Sequence, residues 1–249
     1  MDGTAFWIVS VIAAISVGLS KGGLAALGTI AVPVMALAID PIVAAGLLLP
    51  VFVVSDIFGV WTYRKHFDKQ VLIISIIGGT VGVVIGGLLA SVVSEHVVTL
   101  FVGLIGVLFT LNFILKRGAE VEAEPLNKPK GYFWTAIAGF TSFVSHSGGP
   151  PYQMFVLPLK LPKMVFAGTI TLAFAYINAI KLIPYAMLGQ INLHSLGVSA
   201  ILMVPAVISV FVGVRLVKIL PDKIFYNFVI IALGIVSVKL VYDAITAMI

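Results

Sequence analysis

The sequence predicts an all-α, polytopic membrane protein, and three observations lead to this fold class. The chain of 249 residues is 61% hydrophobic and 10% charged, whereas soluble domains are roughly 45–50% apolar and about 25% charged. Its mean hydropathy is +1.19. Its charged residues concentrate in short breaks between long apolar runs. These observations exclude a soluble enzyme, a disordered chain and a nucleic-acid-binding module, although the net charge is +5.

The lengths of the apolar runs predict the individual elements. A transmembrane helix needs about 20 apolar residues, and six runs meet this length, at residues 41–63, 70–92, 96–115, 163–188, 194–217 and 223–246. Two further runs are interrupted: residues 4–39 at positions 20–23, and residues 132–159 at positions 146–151. The second holds too few residues for two crossings. The first is compatible with a re-entrant hairpin or with two full spans.

Lys and Arg in the short loops predict the orientation, because cytoplasmic loops carry an excess of these residues. They form four clusters, at Arg64/Lys65/Lys69, Lys116/Arg117/Lys128/Lys130, Lys160/Lys163 and Arg215/Lys218/Lys223. The connections around Asp40, Glu95 and 189–193 carry neither residue type. Placing the four clusters in the cytoplasm puts 12 basic loop residues inside and none outside. In this orientation residues 132–159 enter and return on the cytoplasmic side, and both termini lie outside.

The two halves of the chain resemble each other weakly, which predicts a first repeat at 1–115, a cytoplasmic linker at 116–131 and a second repeat at 132–249. The aligned positions are Gly22-Gly23 with Gly148-Gly149, Ala45-Gly46 with Ala167-Gly168, Asp56 with Asn178, Tyr63 with Tyr185, Glu95 with Asp222, Phe101 with Phe228 and Gly106 with Gly234. Each half is a broken hairpin plus three spans, so the second copy must be inverted. Inverted repeats with broken helices are an architecture of secondary transporters. Chance similarity between two Leu-, Val- and Gly-rich halves is the alternative.

Four segments also carry a family resemblance. They are Gly18-Leu19-Ser20-Lys21-Gly22-Gly23, the Asp40-Pro41 turn, the Ser55-Asp56 pair and the loop Tyr63-Arg64-Lys65-His66-Phe67. With the duplicated halves and the central hydrophilic loop, they make nearly the whole chain resemble the sulfite exporter TauE/SafE family, of the four-toluene sulfonate uptake permease superfamily. This resemblance implies transport of sulfite, a sulfonate or a related sulfur-containing organic anion across the bacterial inner membrane.

The two helix breaks are the first predicted substrate contacts. Backbone N–H groups exposed at a break must face protein or a watery cavity, and the positive end of a half-helix favours an anion. Glycine allows close approach and a positive φ, and serine hydroxyls add donors. The predicted contacts are Ser20, Gly22, Gly23, Ser145, Ser147, Gly148 and Gly149. The alternative is that these glycines only permit tight helix packing.

Two ionisable residues, Lys21 and His146, lie at nearly equivalent points of the breaks. Lys21 would attract an anion by its charge, or else it marks the cytoplasmic interface and extends its ammonium group there. His146 is predicted to contact the substrate and, because histidine ordinarily titrates near pH 6.5, to carry a proton during the cycle. Its alternative role is a structural hydrogen bond.

Asp56 and Lys181 lie inside otherwise apolar spans, where a charge costs several kcal/mol unless it faces a partner or a cavity. Asn178 lies one helical turn from Lys181, and we predict that both select the anion. Asp56 is predicted to be a proton-linked carboxylate, or else the counter-ion of Lys21 or Lys181. A buried ion pair that only fixes helix register is the alternative. Lys239 and Asp243 are predicted to form a structural i,i+4 pair.

No enzyme, metal or cofactor signature is present in the sequence. The four histidines are scattered, cysteine is absent, and no Gly-rich phosphate loop ends in Lys-Ser or Lys-Thr. We therefore predict a secondary transporter that works by alternating access, with the bilayer and a small anionic substrate as its partners and no nucleic acid. A homo-oligomer is compatible with the sequence. The competing hypotheses are a channel-like anion pore and a membrane scaffold subunit that transports nothing.

Overall fold

The computed structural model describes residues 3–89, 92–115, 123–187 and 193–248, and over these ranges it contains helices and no strand. The helices are α1 (Thr4–Lys21), α2 (Ala31–Met35), α3 (Pro41–Tyr63), α4 (Lys69–Leu89), α5 (Glu95–Leu115), α6 (Lys128–Ser145), α7 (Gly149–Val156), α8 (Lys163–Met187), α9 (Leu193–Ile219) and α10 (Asp222–Met248). Short 3-10 helices span Ala25–Ile30 and Leu157–Leu159. The predicted all-α fold class is confirmed.

Seven of the described helices are long and apolar enough to cross a membrane, namely α1, α3, α4, α5, α8, α9 and α10. Six of them are the full spans predicted from the sequence, with ends that differ by at most three residues. The seventh, α1, has 18 residues, close to the lower limit for a span. The chain is therefore a multi-pass membrane protein.

Both interrupted runs contain a broken helix. After α1 ends, the shorter apolar helix Ala25–Met35 follows, and its 11 residues are too few to cross a hydrocarbon core of about 30 Å. Two full spans over residues 4–39 are therefore excluded. In the second run, α7 already begins at Gly149. The predicted break at 146–151 is thus three residues too long, because Pro150 and Pro151 fit the first turn of a helix, where an N–H group is not needed.

The start of α6 also differs from the prediction. It begins at Lys128, four residues before the predicted repeat boundary at 132. Asn127 caps this helix, because its side chain accepts a hydrogen bond from the Lys130 N–H at 3.0 Å. Residues 128–131 of the predicted linker are therefore helical, while the boundaries of the linker and the repeats stay predictions. Residues 116–122 of the linker and most of the predicted external connection at 189–193 lie outside the described residues.

The chain packs as two compact units that do not coincide with the predicted repeats. The first unit consists of Met1–Phe67 and Ala167–Leu220, and the second of Asp68–Phe166 and Pro221–Ile249. The first holds α1, α2, α3, α9 and most of α8, and the second holds α4 to α7 and α10. Each unit combines helices from both halves of the sequence. Helices of the first half thus pack against helices of the second half. The inverted orientation of the repeats stays a prediction.

Glycines permit close helix packing within each unit. In the first unit, a Cβ at Gly22 of α1 would lie 2.6 Å from the Cα of Gly213 on α9. In the second unit, a Cβ at Gly82 of α4 would lie 2.6 Å from the backbone N of Phe140 on α6. Any side chain at these positions would force the helices apart. Gly22 therefore has a packing role, which was the alternative to substrate contact for the glycines at the breaks.

Candidate functional site

Three charged side chains are buried among the residues that the structure describes, and all three belong to the first unit. Lys21 is 4% exposed, Asp56 is 4% exposed and Lys181 is fully buried. They come from three different helices, α1, α3 and α8. Since a buried charge is unfavourable without compensation, the contacts around these side chains decide what they do.

The antiparallel crossing of α3 and α8 brings Asp56 to Asn178. A Cβ at Gly59 would lie 2.7 Å from Cγ2 of Thr171. About one turn earlier on α3 and two turns later on α8, Asn178 Nδ2 donates a hydrogen bond of 2.7 Å to Asp56 Oδ2. Residue numbers rise on α3 as they fall on α8, so the helices run in opposite directions. The two polar residues that the sequence comparison aligned are therefore in direct contact.

Lys21 is the counter-ion of Asp56, one of the two roles predicted for that carboxylate. Its Nζ lies 2.8 Å from Asp56 Oδ1 and 5.0 Å from the ring centroid of Phe52. Phe52 lies one turn before Asp56 on α3, so the ring face and the carboxylate hold the same ammonium group. Because Lys21 is buried, it does not extend to a membrane interface as its alternative role required.

Lys181 completes this cluster from α8. It lies one turn from Asn178, and its Nζ is 5.4 Å from the ring centroid of Tyr185. It is close enough to interact electrostatically with both Lys21 and Asp56. The buried charged side chains of the described residues are thus two lysines and one aspartate, a formal excess of one positive charge. A ligand with negative charge is favoured by such an environment.

The break after α1 is closed by a Schellman motif, with Gly23 in the left-handed conformation at φ 106°. The bonds are Gly22 N to Gly18 O at 2.9 Å, Gly23 N to Ser20 O at 3.2 Å and Leu24 N to Leu19 O at 3.1 Å. The amides of Gly22 and Gly23 already donate within the chain, so they do not provide the predicted N–H contacts to a substrate in this conformation. The break also follows the C-terminal, negative end of the α1 dipole, which Lys21 complements.

Side chains from α3 and α8 hold the carbonyl groups of this break. Tyr63 OH donates to Gly22 O at 2.7 Å, and Thr171 Oγ1 donates to Lys21 O at 3.3 Å. These two bonds position Lys21 next to Asp56. Sequence reasoning missed Phe52 and Thr171. The spacing of four residues between Phe52 and Asp56 could have identified the first, whereas a single threonine in an apolar span gives no signal.

The second break lies in the second unit and has a different geometry. His146 ends α6 in the left-handed conformation (φ 52°, ψ 18°), which histidine adopts more readily than most residues. Gly148 has φ −69°, so the positive φ expected of glycines occurs at Gly23 but not at Gly148. Pro150 and Pro151 lack N–H groups. The two prolines therefore add no amide donor to those of Gly148 and Gly149, whose contact with a substrate stays a prediction.

The three serines predicted to donate to substrate each donate to a backbone carbonyl instead. The bonds are Ser20 Oγ to Val17 O at 2.7 Å, Ser145 Oγ to Thr141 O at 3.3 Å and Ser147 Oγ to Ser145 O at 2.9 Å. Such bonds are common for serine in and beside helices. Substrate contact through these hydroxyls would require another rotamer.

The predicted site residues are thus divided between the two units. The first unit brings together Lys21, Asp56, Asn178 and Lys181 beside the break that contains Gly22 and Gly23, and the second unit contains Ser145, His146, Ser147, Gly148 and Gly149. Lys239 Nζ lies 2.6 Å from Asp243 Oδ2, which confirms the predicted structural i,i+4 pair.

A comparison with protein families matches residues 10–240 to the family described as sulfite exporter TauE/SafE. The chain belongs to this family. Members of the sulfite exporter TauE/SafE family are membrane transporters, in agreement with the seven apolar helices of the described residues. No curated protein and no solved structure matches the chain.

Proposed function

We propose that the chain is a secondary transporter that moves a small sulfur-containing anion, sulfite or an organosulfonate, by alternating access. The observation that carries this proposal is the buried cluster of Lys21, Asp56, Asn178 and Lys181, with two cations for one carboxylate. Membership of the sulfite exporter family supports the substrate class.

The cluster offers hydrogen-bond donors that suit an oxyanion. Each lysine ammonium has three N–H donors, and the Asn178 amide has a second N–H besides the one bonded to Asp56. Sulfite and sulfonates present three oxygens that share the negative charge. An oxyanion held by Lys181 and Asn178 would gain both charge-assisted hydrogen bonds and Coulomb attraction in a medium of low polarity.

Asp56 gives the proposal a route to proton coupling. When ionised, it holds Lys21 and repels an arriving anion. When protonated, it releases Lys21 to the substrate and no longer repels it. A proton bound at Asp56 would therefore accompany the anion. His146 in the second unit is the other proposed proton carrier, and Ser145, Ser147, Gly148 and Gly149 are proposed substrate contacts next to it.

The distribution of basic residues supports a location in the bacterial inner membrane with the central loop in the cytoplasm. Without a phosphate-binding motif in the sequence, the driving force in this proposal is an ion gradient, the membrane potential or the substrate gradient itself.

Flux in proteoliposomes tests the proposed function. Uptake of radiolabelled sulfite should saturate with concentration and depend on a counter-ion, and Lys181→Met should abolish it while Lys239→Met retains it. Flux that follows the membrane potential without saturation would favour a channel-like pore. Absence of both flux and ligand-induced thermal stabilisation would instead favour a scaffold subunit.

A further inference from the structure

A second group of buried polar side chains lies in the second unit. Gln153 of α7, Thr110 of α5 and Ser237 of α10 are 1%, 6% and 0% exposed. Both amide atoms of Gln153 and both hydroxyls find no hydrogen-bond partner among the residues that the structure describes. Because buried polar groups are nearly always hydrogen-bonded in folded proteins, these atoms indicate a partner that is not part of the chain.

Thr110 and Ser237 lie together where α5 and α10 cross. A Cβ at Gly106 of α5 would lie 2.9 Å from the Cβ of Ser237, and a Cβ at Gly234 of α10 would lie 2.9 Å from Cγ2 of Thr110. Residue numbers rise on α5 as they fall on α10, so the helices are antiparallel. The two hydroxyl-bearing residues are therefore about one helical turn apart along the crossing.

The direction of α7 follows from the segment after it. Lys163 Nζ lies 3.3 Å from Asp222 Oδ1, and Tyr226 OH donates to Leu161 O. The segment that follows α7 therefore lies at the N-terminal end of α10. Because α10 is antiparallel to α5, α7 and α5 both run towards this end.

This shared direction brings Gln153 to the level of Thr110. The Cβ of Pro150 on α7 lies 3.5 Å from the position of a Cβ at Gly106 on α5. Gln153 is three residues beyond Pro150, and Thr110 is four residues beyond Gly106. Both helices advance by the same rise per residue. The three unpartnered side chains therefore lie within about one helical turn of each other along the helix axes.

Thr110 and Ser237 also occupy equivalent positions of the predicted repeats. They are 127 residues apart, the same spacing as between the aligned residues Glu95 and Asp222. Each half of the sequence would thus supply one hydroxyl to the group. An arrangement of this kind is expected for residues close to a local two-fold axis, where equivalent positions face each other.

We propose that Gln153, Thr110 and Ser237 form a second contact site for the transported oxyanion, an assignment that rests on the proposed function. The amide NH₂ group and the two hydroxyls supply up to four uncharged donors, which match the oxygens of sulfite or a sulfonate. Sites on a transport path must hold an ion firmly enough for entry and weakly enough for release. Donors without a full charge meet this requirement better than the lysines of the first unit do.

Sulfite titrations of the purified full-length protein, read as shifts of the thermal midpoint, test this site. We expect Gln153→Leu to weaken apparent sulfite affinity roughly tenfold or more, because it removes hydrogen bonds to a charged ligand. The double variant Thr110→Val/Ser237→Ala should weaken it as well, and tests the site independently if Gln153→Leu does not fold. The matched control is Thr135→Val, whose buried hydroxyl already donates to Gly131 O at 2.7 Å. Its affinity should equal that of the wild type.

The outcomes separate the second site from the proposed function. If Gln153→Leu and the double variant keep wild-type affinity while Lys181→Ala loses it, the second site is overturned and the proposed function stands. The same holds if Gln153→Leu only raises the midpoint of the ligand-free protein, because the amide would then hold water or nothing. If the wild-type protein responds to no sulfur oxyanion at all, both proposals fail.

Discussion

Lys21 and Asp56 form a buried ion pair with a separation of 2.8 Å. The effect of each charge on the stability of the fold therefore depends on whether the other charge is present. Removing one partner of a buried pair typically costs about 3–5 kcal/mol, because a charge without compensation stays behind. Replacing both partners by neutral groups is much less costly. The pair thus holds α1 against α3 only while both charges are present.

This dependence predicts the effect of single and double substitutions on stability. Lys21→Met should lower the free energy of unfolding by about 3–5 kcal/mol, and Lys21→Met/Asp56→Asn should recover most of that loss. Lys239→Met, at the partly exposed pair with Asp243, should cost no more than about 1 kcal/mol. Denaturant unfolding in detergent micelles measures all three. A double variant as unstable as Lys21→Met would show that the two charges do not compensate each other.

Asp56 also predicts the pH dependence of transport. If protonation of this carboxyl group admits the anion, flux should rise as pH falls, and Asp56→Asn should give a flat profile because the amide cannot ionise. Lys21 pairs with this carboxylate and Lys181 interacts with it electrostatically, so Lys181→Arg serves as a control that keeps the positive charge. The measurement needs a sulfonate substrate, whose own charge does not change over the pH range. An unchanged pH profile in Asp56→Asn would refute the proton-coupling role.

At the residue scale, a candidate site residue can be recognised in the sequence when a charged side chain occurs within an apolar run. Asp56 and Lys181 are charges in apolar runs, so they could be predicted directly. Phe52 is one of 16 phenylalanines, and its role depends on a lysine in another helix. Gln153 likewise could not be identified from the sequence, because only the packed structure shows that its amide atoms are buried without hydrogen-bond partners.

At the scale of elements, the end of α1 depends on a single backbone conformation. Gly23 has φ 106°, a region that costs other residues about 1–2 kcal/mol. A Cβ there would also lie 2.7 Å from the Tyr63 hydroxyl and 2.8 Å from the Cβ of Ala167. The break is therefore fixed by the local sequence and by the packing around it.

Gly23→Ala should accordingly destabilise the protein by at least about 1–2 kcal/mol and weaken sulfite binding, because Lys21 lies two residues away. Gly197→Ala on α9 is the matched control, since a Cβ there has nothing within 4 Å. It should stabilise the helix by up to about 1 kcal/mol. Thermal midpoints and sulfite titrations of both variants make the comparison. Equal effects of the two substitutions would contradict a special role for the left-handed glycine.

Helices such as α3 and α8 were predictable because the length of an apolar run determines whether it can span the membrane. The ends of the helices were harder to predict, because capping residues and prolines determine where a helix starts or stops. Pro150 and Pro151 suggest a break, yet a helix accepts prolines in its first turn. Lys128 resembles linker sequence, yet the Asn127 cap starts α6 there. Local chemistry also affects the predicted substrate contacts of Gly22 and Gly23, because the Schellman bonds after α1 use the N–H groups that we expected to face the substrate.

At the scale of the whole molecule, the two units share one packing pattern, while the inversion of the repeat stays a prediction. In the first unit, α1 lies parallel to α9, and in the second unit α6 lies parallel to α4, with glycines at both contacts. Each helix before a break thus packs on a span from the other half of the sequence. A comparison of the halves alone could not predict this exchange, because sequence similarity does not report which helices touch.

Cysteine labelling tests the predicted orientation, and the natural chain contains no cysteine that would interfere. In intact cells, a membrane-impermeant thiol reagent should label Asp40→Cys and Gly189→Cys. It should label Lys65→Cys and Lys160→Cys only after the membrane is permeabilised. These residues lie in the connections that the charge distribution assigns to opposite sides. Labelling of Lys65→Cys and Gly189→Cys from the same side would overturn the orientation.

The central claim is that the buried charge cluster of the first unit recognises a sulfur oxyanion. Its most direct test is the thermal stabilisation of the purified protein by sulfite, thiosulfate, sulfate, sulfonates and carboxylates, measured for the wild type, Lys181→Ala and the control Lys239→Ala. We predict that sulfite or a sulfonate raises the thermal midpoint of the wild type and of Lys239→Ala, and that Lys181→Ala loses this response. A full response in Lys181→Ala would contradict the claim.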